Sequence, residues 1–148
     1  MKAVIQRVKR AKVKVDNKSV SHIGRGLLVL AGFQRGEREE ELEKIARKIV
    51  ALRIFEDSGG KMNLSLKDIN GEILCVSQFT LYGDVRRGRR PSFEKAEVSY
   101  RAEDLYYKFC QFLEKEGVGV KRGIFGAVME VELLNAGPVT IILDSEVL

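Results

Sequence analysis

Alternating and continuous apolar runs predict that much of the chain is β-strand. In residues 1–15, Val13 and Val15 point one way and the intervening Lys14 points the other, which is the period of a half-solvated strand. Residues 27–33 form a continuous apolar run, as expected of a central strand. Further strands are predicted at residues 19–23, 71–78, 118–121, 128–134 and 139–143. Because short turns join most of them, we expect about seven or eight strands in a largely antiparallel arrangement.

Two longer segments have the period of an amphipathic helix. The first covers residues 39–53, and its apolar face consists of Leu42, Ile45, Ala46, Ile49 and Leu52. The second covers residues 101–116, and its apolar face consists of Leu105, Tyr106, Phe109, Phe112 and Leu113. Ser99 is a candidate cap for the second helix, and Gly117 and Gly119 end it. We therefore predict an α+β fold, in which a curled or barrel-like, largely antiparallel sheet packs against two long helices.

Length and composition fit one globular domain over residues 1–148. Of the 148 residues, 45% are hydrophobic and 32% are charged, which allows a sizeable core. No apolar run approaches the roughly 20 residues that a membrane helix needs. The first residues are too interrupted by charge for a signal peptide, so we expect a cytoplasmic protein with no membrane association. The net charge of +5 is compatible with a nucleic-acid partner but does not require one.

Several common kinds of active site are missing from the sequence. His22 is the only histidine, so no histidine pair is available to bind a metal, and we expect it to be a surface residue. Cys75 and Cys110 lie in apolar surroundings without zinc-site spacing, which predicts two buried, reduced thiols. There is no G-x-S-x-G elbow and no phosphate-binding P-loop. We predict no metal and no cofactor.

Polar residues at the end of a predicted strand mark the first candidate site. Ser77, Gln78 and Thr80 stand where a core strand would be apolar, and buried polar groups are costly unless they are paired. Thr80 is a possible nucleophile, but the sequence offers no adjacent base to activate it. Alternatively, Ser77 and Thr80, with the backbone N–H groups around Phe79, donate hydrogen bonds to an oxyanion. A third interpretation is a capped strand end without chemistry.

The second candidate site is the Gly137-Pro138 dipeptide. One interpretation is a plain hairpin turn between two strands. However, proline fixes φ and removes a donor, and a Gly-Pro bond can adopt the cis form. A rigid Gly-Pro holds its carbonyl groups in fixed directions, which suits the recognition of a ligand's stereochemistry.

Together, the two segments resemble the paired motifs of the D-aminoacyl-tRNA deacylases, also called the D-tyrosyl-tRNA deacylase family. The resemblance covers essentially the whole chain, and its segments occur in the family's order. They are Met1-Lys2-Ala3-Val4-Ile5-Gln6-Arg7-Val8, Ser77-Gln78-Phe79-Thr80, Gly88-Arg89-Arg90-Pro91-Ser92-Phe93, Gly123-Ile124-Phe125-Gly126-Ala127 and Asn135-Ala136-Gly137-Pro138-Val139-Thr140. One departure is Ala136, where the family often has an acidic residue.

The resemblance implies a homodimer that hydrolyses the ester between a D-amino acid and the 3′ end of tRNA, as a proofreading step in translation. Gly137 and Pro138 of one subunit are expected to reach into the other subunit's site and form the chirality filter. Their carbonyls would hold the amino group and leave no room for an L side chain. Glycine has no side chain to clash, so mischarged glycyl-tRNA should also be hydrolysed.

The resemblance also assigns the remaining residues of the site. Ser77, Gln78, Phe79 and Thr80 are expected to hold the terminal adenosine and the reacting carbonyl, and Phe125 and Met129 to line the adenosine pocket. The expected mechanism is attack by water, assisted by the ribose 2′-OH, with backbone donors on the oxyanion. Covalent catalysis by Thr80 is the rival mechanism.

A basic loop at residues 83–92 is a candidate tRNA contact. Its cations are Arg86, Arg87, Arg89 and Arg90, and Lys9, Arg10 and Lys12 could add to them. They are expected either to contact acceptor-stem phosphates or simply to be solvated. The competing functions are a nucleic-acid-binding dimer without catalysis and, third, a structural dimer with a vestigial pocket.

Overall fold

The computed structural model describes all residues, 1–148, as eight strands, two α-helices and a short 3₁₀ helix. In chain order the elements are β1 (Lys2–Val15), β2 (Lys18–Ile23), β3 (Gly26–Gly32), α1 (Glu39–Ala51), β4 (Phe55–Glu56), β5 (Met62–Leu64), β6 (Glu72–Ser77), the 3₁₀ helix (Phe79–Tyr82), α2 (Ser99–Lys115), β7 (Gly119–Arg122) and β8 (Glu130–Asp144). Neither α-helix is long and apolar enough to span a bilayer.

Six of the strands form a mixed sheet that nearly closes into a barrel, and β4 and β5 form a separate two-stranded sheet. The order of the larger sheet is β2-β1-β3-β6-β7, and β8 pairs with the other edge of β1. The pairs that β1 makes with β2, β3 and β8 are antiparallel, as predicted. The β3–β6 and β6–β7 pairs are parallel, because α1 and α2 supply the long crossovers that parallel neighbours need. The Ser21 hydroxyl of β2 donates to the Arg122 carbonyl of β7 at 2.7 Å and so links the two ends of the strand order.

The core lies in two layers, one on each face of the central strand β3. Leu27, Val29 and Ala31 face a cluster that includes both helices, whereas Leu28 faces a smaller cluster inside the curled sheet. Burial on both faces explains the continuous apolar run of residues 27–33. Each fully buried leucine contributes roughly 1.5–3 kcal/mol, so the helices are held mainly by this packing. The predicted α+β fold is confirmed.

Both predicted helices are present, with small differences at their ends. The predicted cap is wrong, because Ser99 is the first residue of α2 and Val98 occupies the cap position without a side-chain hydrogen bond. α1 ends at Ala51 rather than residue 53, since Leu52 has an extended ψ of 128°. Cys75 and Cys110 are free and buried, as predicted.

One prediction about strands is wrong. The two strands predicted at residues 128–134 and 139–143 are parts of one strand, β8, which starts at Glu130, so Gly137-Pro138 is not a hairpin turn. The reason is the length of β1: its 14 residues are enough to pair with both halves of β8. The Gly137–Pro138 bond is cis and lies in the middle of the strand.

Candidate active site

A cleft of about 460 Å³ opens at the carboxyl ends of β3 and β6. Because these strands are parallel and in register up to Ala31 and Ser77, their ends lie side by side. Five of the residues predicted for the site line the cleft, namely Ser77, Gln78, Phe79, Phe125 and Met129. The structure therefore brings together the strand end and the segment of residues 125–129, although they are far apart in the chain.

The end of β6 is locked before the chain turns into the 3₁₀ helix. The Gln78 N–H donates to the Ala31 carbonyl at 2.8 Å, and Gln78 then leaves the extended conformation with ψ 80°. The first N–H groups of a helix have no partner within it, so those of Phe79 and Thr80 are free to face a ligand. This local geometry can supply donors to a developing negative charge.

Thr80 lies beside the cleft rather than in its wall. Its hydroxyl accepts a hydrogen bond from the Gln78 side-chain amide at 2.5 Å, and it has no other side-chain partner. An amide cannot take up a proton at neutral pH, so it cannot act as the general base that a threonine nucleophile needs. His22 is exposed on β2 and lines a separate surface cavity with Arg10 and Lys12.

The only titratable side chain in the wall of the cleft is Glu97, which the sequence analysis did not single out. Its carboxylate accepts hydrogen bonds from the Gly36 N–H at 2.9 Å and the Val98 N–H at 2.9 Å, and it forms an ion pair with the Arg101 Nε at 3.0 Å. These donors occupy most of its acceptor sites. Glu97 therefore ties the start of α2 to the loop after β3 and forms a fixed wall instead of a free base.

Apolar side chains give the cleft its shape. The Phe79 ring is 55% exposed at the mouth and packs edge-on against Phe93, with 5.0 Å between the ring centroids. Met129 packs so closely over Gly123 that a Cβ at that glycine would lie 2.8 Å from the Met129 sulfur. An exposed aromatic at the mouth of an apolar cleft is typical of a binding site for a flat ligand such as a base.

The basic loop begins and ends next to the mouth of the cleft. Paired backbone hydrogen bonds between Asp84 and Ser92, at 2.8 and 2.9 Å, close it, and Phe93 follows directly. Arg86 binds the Asp84 carboxylate through two nitrogen atoms, which lowers the pKa of Asp84. Arg87, Arg89 and Arg90 are exposed and have no carboxylate within 4.0 Å. Three of the four predicted cations are thus unpaired, while Arg86 is committed to Asp84.

The cis Gly137–Pro138 bond lies in a bulge of β8, which we call the Gly-Pro bulge (residues 136–139). Gln6 of β1 pairs with Thr140, and Val8 pairs with Asn135, so four residues of β8 face the single residue Arg7. Gly137 has φ +123°, a conformation that residues with a side chain rarely adopt. Gly137 and Pro138 are both exposed. Bulges of this kind often re-aim a strand next to a functional site.

Side chains of β1 hold the Gly-Pro bulge in place. The buried Arg7 donates from Nε to the Ala136 carbonyl at 2.9 Å and from Nη1 to the Ile54 carbonyl at 2.7 Å. Asn135 accepts from the Val139 N–H at 3.1 Å and donates to the Gln6 side chain at 2.5 Å. The sequence analysis assigned no role to Arg7 or Gln6, since contacts between residues 129 positions apart leave no local pattern.

The Gly-Pro bulge is not part of the cleft of its own chain. Along β3, Arg7 is level with Leu27 and Ser77 is level with Ala31, a difference of about 13 Å at the rise of a strand. Three strand spacings, from β8 through β1 and β3 to β6, add about 14 Å across the sheet. Measured along the curved sheet, the two predicted halves of the site therefore lie on the order of 20 Å apart within one chain.

Comparison with known proteins identifies what this arrangement is similar to. Residues 4–144 match the model of the D-Tyr-tRNA(Tyr) deacylase family. The D-aminoacyl-tRNA deacylase of Aquifex aeolicus is 56% identical over 145 residues, 98% of each chain. That of Dictyoglomus turgidum is 54% identical over 99% of this chain and 94% of its own. Among solved structures, one described as c-Myc DNA Unwinding Element Binding Protein matches with a TM-score of 0.93 and 47% identity, over 97% of this chain and 98% of that one.

Proposed function

The chain belongs to the D-Tyr-tRNA(Tyr) deacylase family and is a D-aminoacyl-tRNA deacylase, and we propose that each of its active sites is built from two subunits. The cleft of one subunit holds the terminal adenosine and the ester. The Gly-Pro bulge of the other subunit closes the site over the amino acid. The observation that carries this proposal is that no residue of the Gly-Pro bulge lines the cleft of its own chain, which lies about 20 Å away along the sheet.

The exposure of the Gly-Pro bulge supports its action on a second chain. Gly137 and Pro138 are exposed, yet Arg7 and Asn135 fix the backbone on either side of them. A rigid, exposed segment that has no role in the cleft of its own chain is suited to insertion into the cleft of a partner subunit. Dimerisation then becomes a condition of activity.

Chirality is read by the backbone of Gly137 and Pro138. Their carbonyl oxygens accept hydrogen bonds from the substrate's ammonium group, which leaves the L side chain facing the rigid bulge. Exclusion by a clash is independent of the side chain's chemistry, so all correctly charged L-aminoacyl-tRNAs are spared. D side chains point outward and are accepted, and mischarged glycyl-tRNA is hydrolysed because glycine has nothing to clash.

Ester hydrolysis proceeds by attack of water rather than of Thr80. The N–H groups of Phe79 and Thr80 stabilise the oxyanion, and the substrate's ribose 2′-OH assists the attacking water. The absence of a base within hydrogen-bond distance of the Thr80 hydroxyl supports this assignment. Phe79, Phe125 and Met129 hold the adenine, while Ser77 and Gln78 position the ester.

The basic loop contributes affinity for the tRNA backbone. Arg87, Arg89 and Arg90 are unpaired cations beside the mouth of the cleft. The RNA chain that leads to the terminal adenosine must pass this mouth. Arg86 contributes less, because Asp84 already neutralises it. Phosphate contacts of this kind add affinity that falls with salt and is independent of sequence.

Binding of nucleic acid without hydrolysis is the second candidate function. It is favoured by one observation, the match to a structure described as a DNA unwinding element binding protein. The unpaired cations of the basic loop would serve that function equally well. It predicts affinity for DNA or RNA that does not depend on the cleft.

Incubation of the pure protein with matched D- and L-tyrosyl-tRNA, in the presence of a chelator, tests the proposal. Selective loss of the D ester is the expected result. Survival of both esters would contradict hydrolysis and favour the binding function. Loss of both at the same rate would contradict the chirality filter alone.

A further inference from the structure

A second cavity lies directly beside the Gly-Pro bulge, and no part of the proposed reaction has yet used it. Its volume is about 290 Å³, enough for several water molecules or a phosphate group. The lining residues are Arg7, Val8, Lys9, Arg25, Phe55, Glu56, Ala136 and Gly137. We call it the bulge-side cavity.

The bulge-side cavity carries an excess of positive charge. Three cations and one carboxylate line it, and the carboxylate, Glu56, lies 4.0 Å from the Arg7 Nη2. Lys9 and Arg25 have no carboxylate within 4.0 Å. The Arg25 guanidinium lies over the Phe55 ring, 5.6 Å from its centroid, which limits its freedom and favours one orientation.

The register of the sheet places Lys9 next to the Gly-Pro bulge. Val8 pairs with Asn135 and Arg10 pairs with Leu134, so Lys9 is an extra residue of β1 with no partner on β8. It lies two residues along β1 from Arg7, the residue that faces the four bulged residues of β8. The unpaired Lys9 of β1 and the Gly-Pro bulge of β8 are neighbouring irregularities, and together they bring the Lys9 ammonium group and Gly137 to the same cavity.

The same cavity lies far from the cleft of its own chain. Arg25 directly precedes β3, whereas Ala31, which lines the cleft, is at the other end of that strand. The five residue-to-residue steps from Gly26 to Ala31 span about 17 Å. Its cations are therefore too distant to assist a substrate bound in their own subunit.

We propose that the bulge-side cavity binds the terminal phosphodiester of a tRNA held in the partner's cleft. This inference rests on the proposed two-subunit site. If Gly137 contacts the amino group of a substrate in the partner's cleft, the cavity that Gly137 lines must lie next to that substrate. Only one ribose separates the ester from the nearest phosphodiester. Lys9 and Arg25 bind that phosphate, and each active site thus receives both its chirality filter and a phosphate clamp from the other subunit.

The first test compares two substrates on the K9Q/R25Q double variant. With D-tyrosyl-tRNA, kcat/KM should fall about tenfold, as loss of charge-assisted contacts to phosphate allows. With 3′-D-tyrosyl-adenosine, which has no phosphate, kcat/KM should be unchanged. A K18Q/K48Q double variant, which also removes two exposed cations, is the control for net charge. An equal fall on both substrates, or no fall with the tRNA, would overturn the proposal.

The second test uses heterodimers that contain a single working site. One subunit carries S77A/F79A in its cleft, and the other carries G137A in its bulge. Adding K9Q/R25Q to the subunit with the intact bulge should lower the rate, and adding it to the subunit with the intact cleft should not. A fall of the same size in both positions would overturn the proposal. If the parent heterodimer is inactive, the two-subunit active site itself is wrong, and the phosphate clamp fails with it.

Discussion

The cleft and the Gly-Pro bulge are held in shape by opposite physical means. The cleft is shaped by apolar packing, with Phe79 exposed at its mouth and Met129 seated over Gly123. The bulge is a piece of backbone fixed by hydrogen bonds from Arg7 and Asn135. Apolar walls allow a bound group a range of positions, whereas carbonyl groups with fixed directions allow only one. If the two regions bind the substrate as proposed, the difference explains how one enzyme can accept many amino acids and still reject one configuration.

Removal of the Arg7 side chain should have the largest effect, because it removes hydrogen bonds that keep the Gly-Pro bulge rigid. Arg7→Ala leaves the buried carbonyls of Ala136 and Ile54 without donors. The free energy of unfolding, measured by urea denaturation, should fall by about 2–4 kcal/mol. Selectivity for D over L esters should fall with it. Lys48→Ala, at an exposed cation of α1, is the control, and an equal loss there would contradict the role given to Arg7.

Substitution of Gly137 should disturb the bulge more locally. In Gly137→Ala, the new Cβ would lie 2.4 Å from the Arg7 Nη2, and alanine would have to adopt φ +123°. We expect a loss of stability of about 1–3 kcal/mol from this strain and a larger loss of D-specific hydrolysis. Unchanged D-ester hydrolysis, measured in single turnover, would show that the bulge does not touch the substrate.

In the cleft, Phe79→Ala should separate binding from folding. The ring is 55% exposed, so the free energy of unfolding should change by no more than about 1 kcal/mol. Loss of the stacking surface should raise KM about tenfold, consistent with about 1–3 kcal/mol per stacked base. Phe93→Leu, which alters the ring that supports Phe79, is expected to have a smaller effect of the same kind. A normal KM in the Phe79→Ala variant would show that the adenosine does not bind in this cleft.

Thr80→Ala should have the smallest effect. If Thr80 only positions groups near the ester, single-turnover hydrolysis should slow by less than about tenfold, or roughly 1.4 kcal/mol in the barrier. Thr80→Ser keeps the hydroxyl and should behave like the unaltered protein. A loss of several orders of magnitude in Thr80→Ala alone would restore covalent catalysis as the mechanism.

The two regions also differ in how far the sequence could predict them. The residues of the cleft could be predicted, because Ser77 and Gln78 are polar residues at the end of an apolar strand and Phe125 lies in a glycine-rich bend. The β3 strand and both helices were equally clear, since each buries a regular apolar pattern. Glu97 was missed because its neighbourhood has many acidic residues and only the fold shows which one faces the cleft.

The supports of the bulge could not be predicted in this way. Gly137-Pro138 is a plausible hairpin turn when read locally, and it lies within a strand only because β1 is long enough to pair on both sides of it. Arg7 looks like one of several charged residues in a half-solvated strand. Its burial depends on Ile54 and Ala136, which the fold brings together from distant parts of the chain.

Complementation between inactive subunits tests the two-subunit site most directly. Assayed well below KM, the S77A/F79A variant has a strongly impaired cleft, because the loss of the Ser77 hydroxyl adds to the rise in KM expected for Phe79→Ala, and the G137A variant has an impaired bulge. After unfolding and refolding as a 1:1 mixture, half of the dimers should be mixed, each with one intact site. We predict that the mixture recovers up to about a quarter of the activity of the unaltered protein on D-tyrosyl-tRNA. Activity no higher than that of the separate variants, in mixtures shown to contain mixed dimers, would contradict the shared active site.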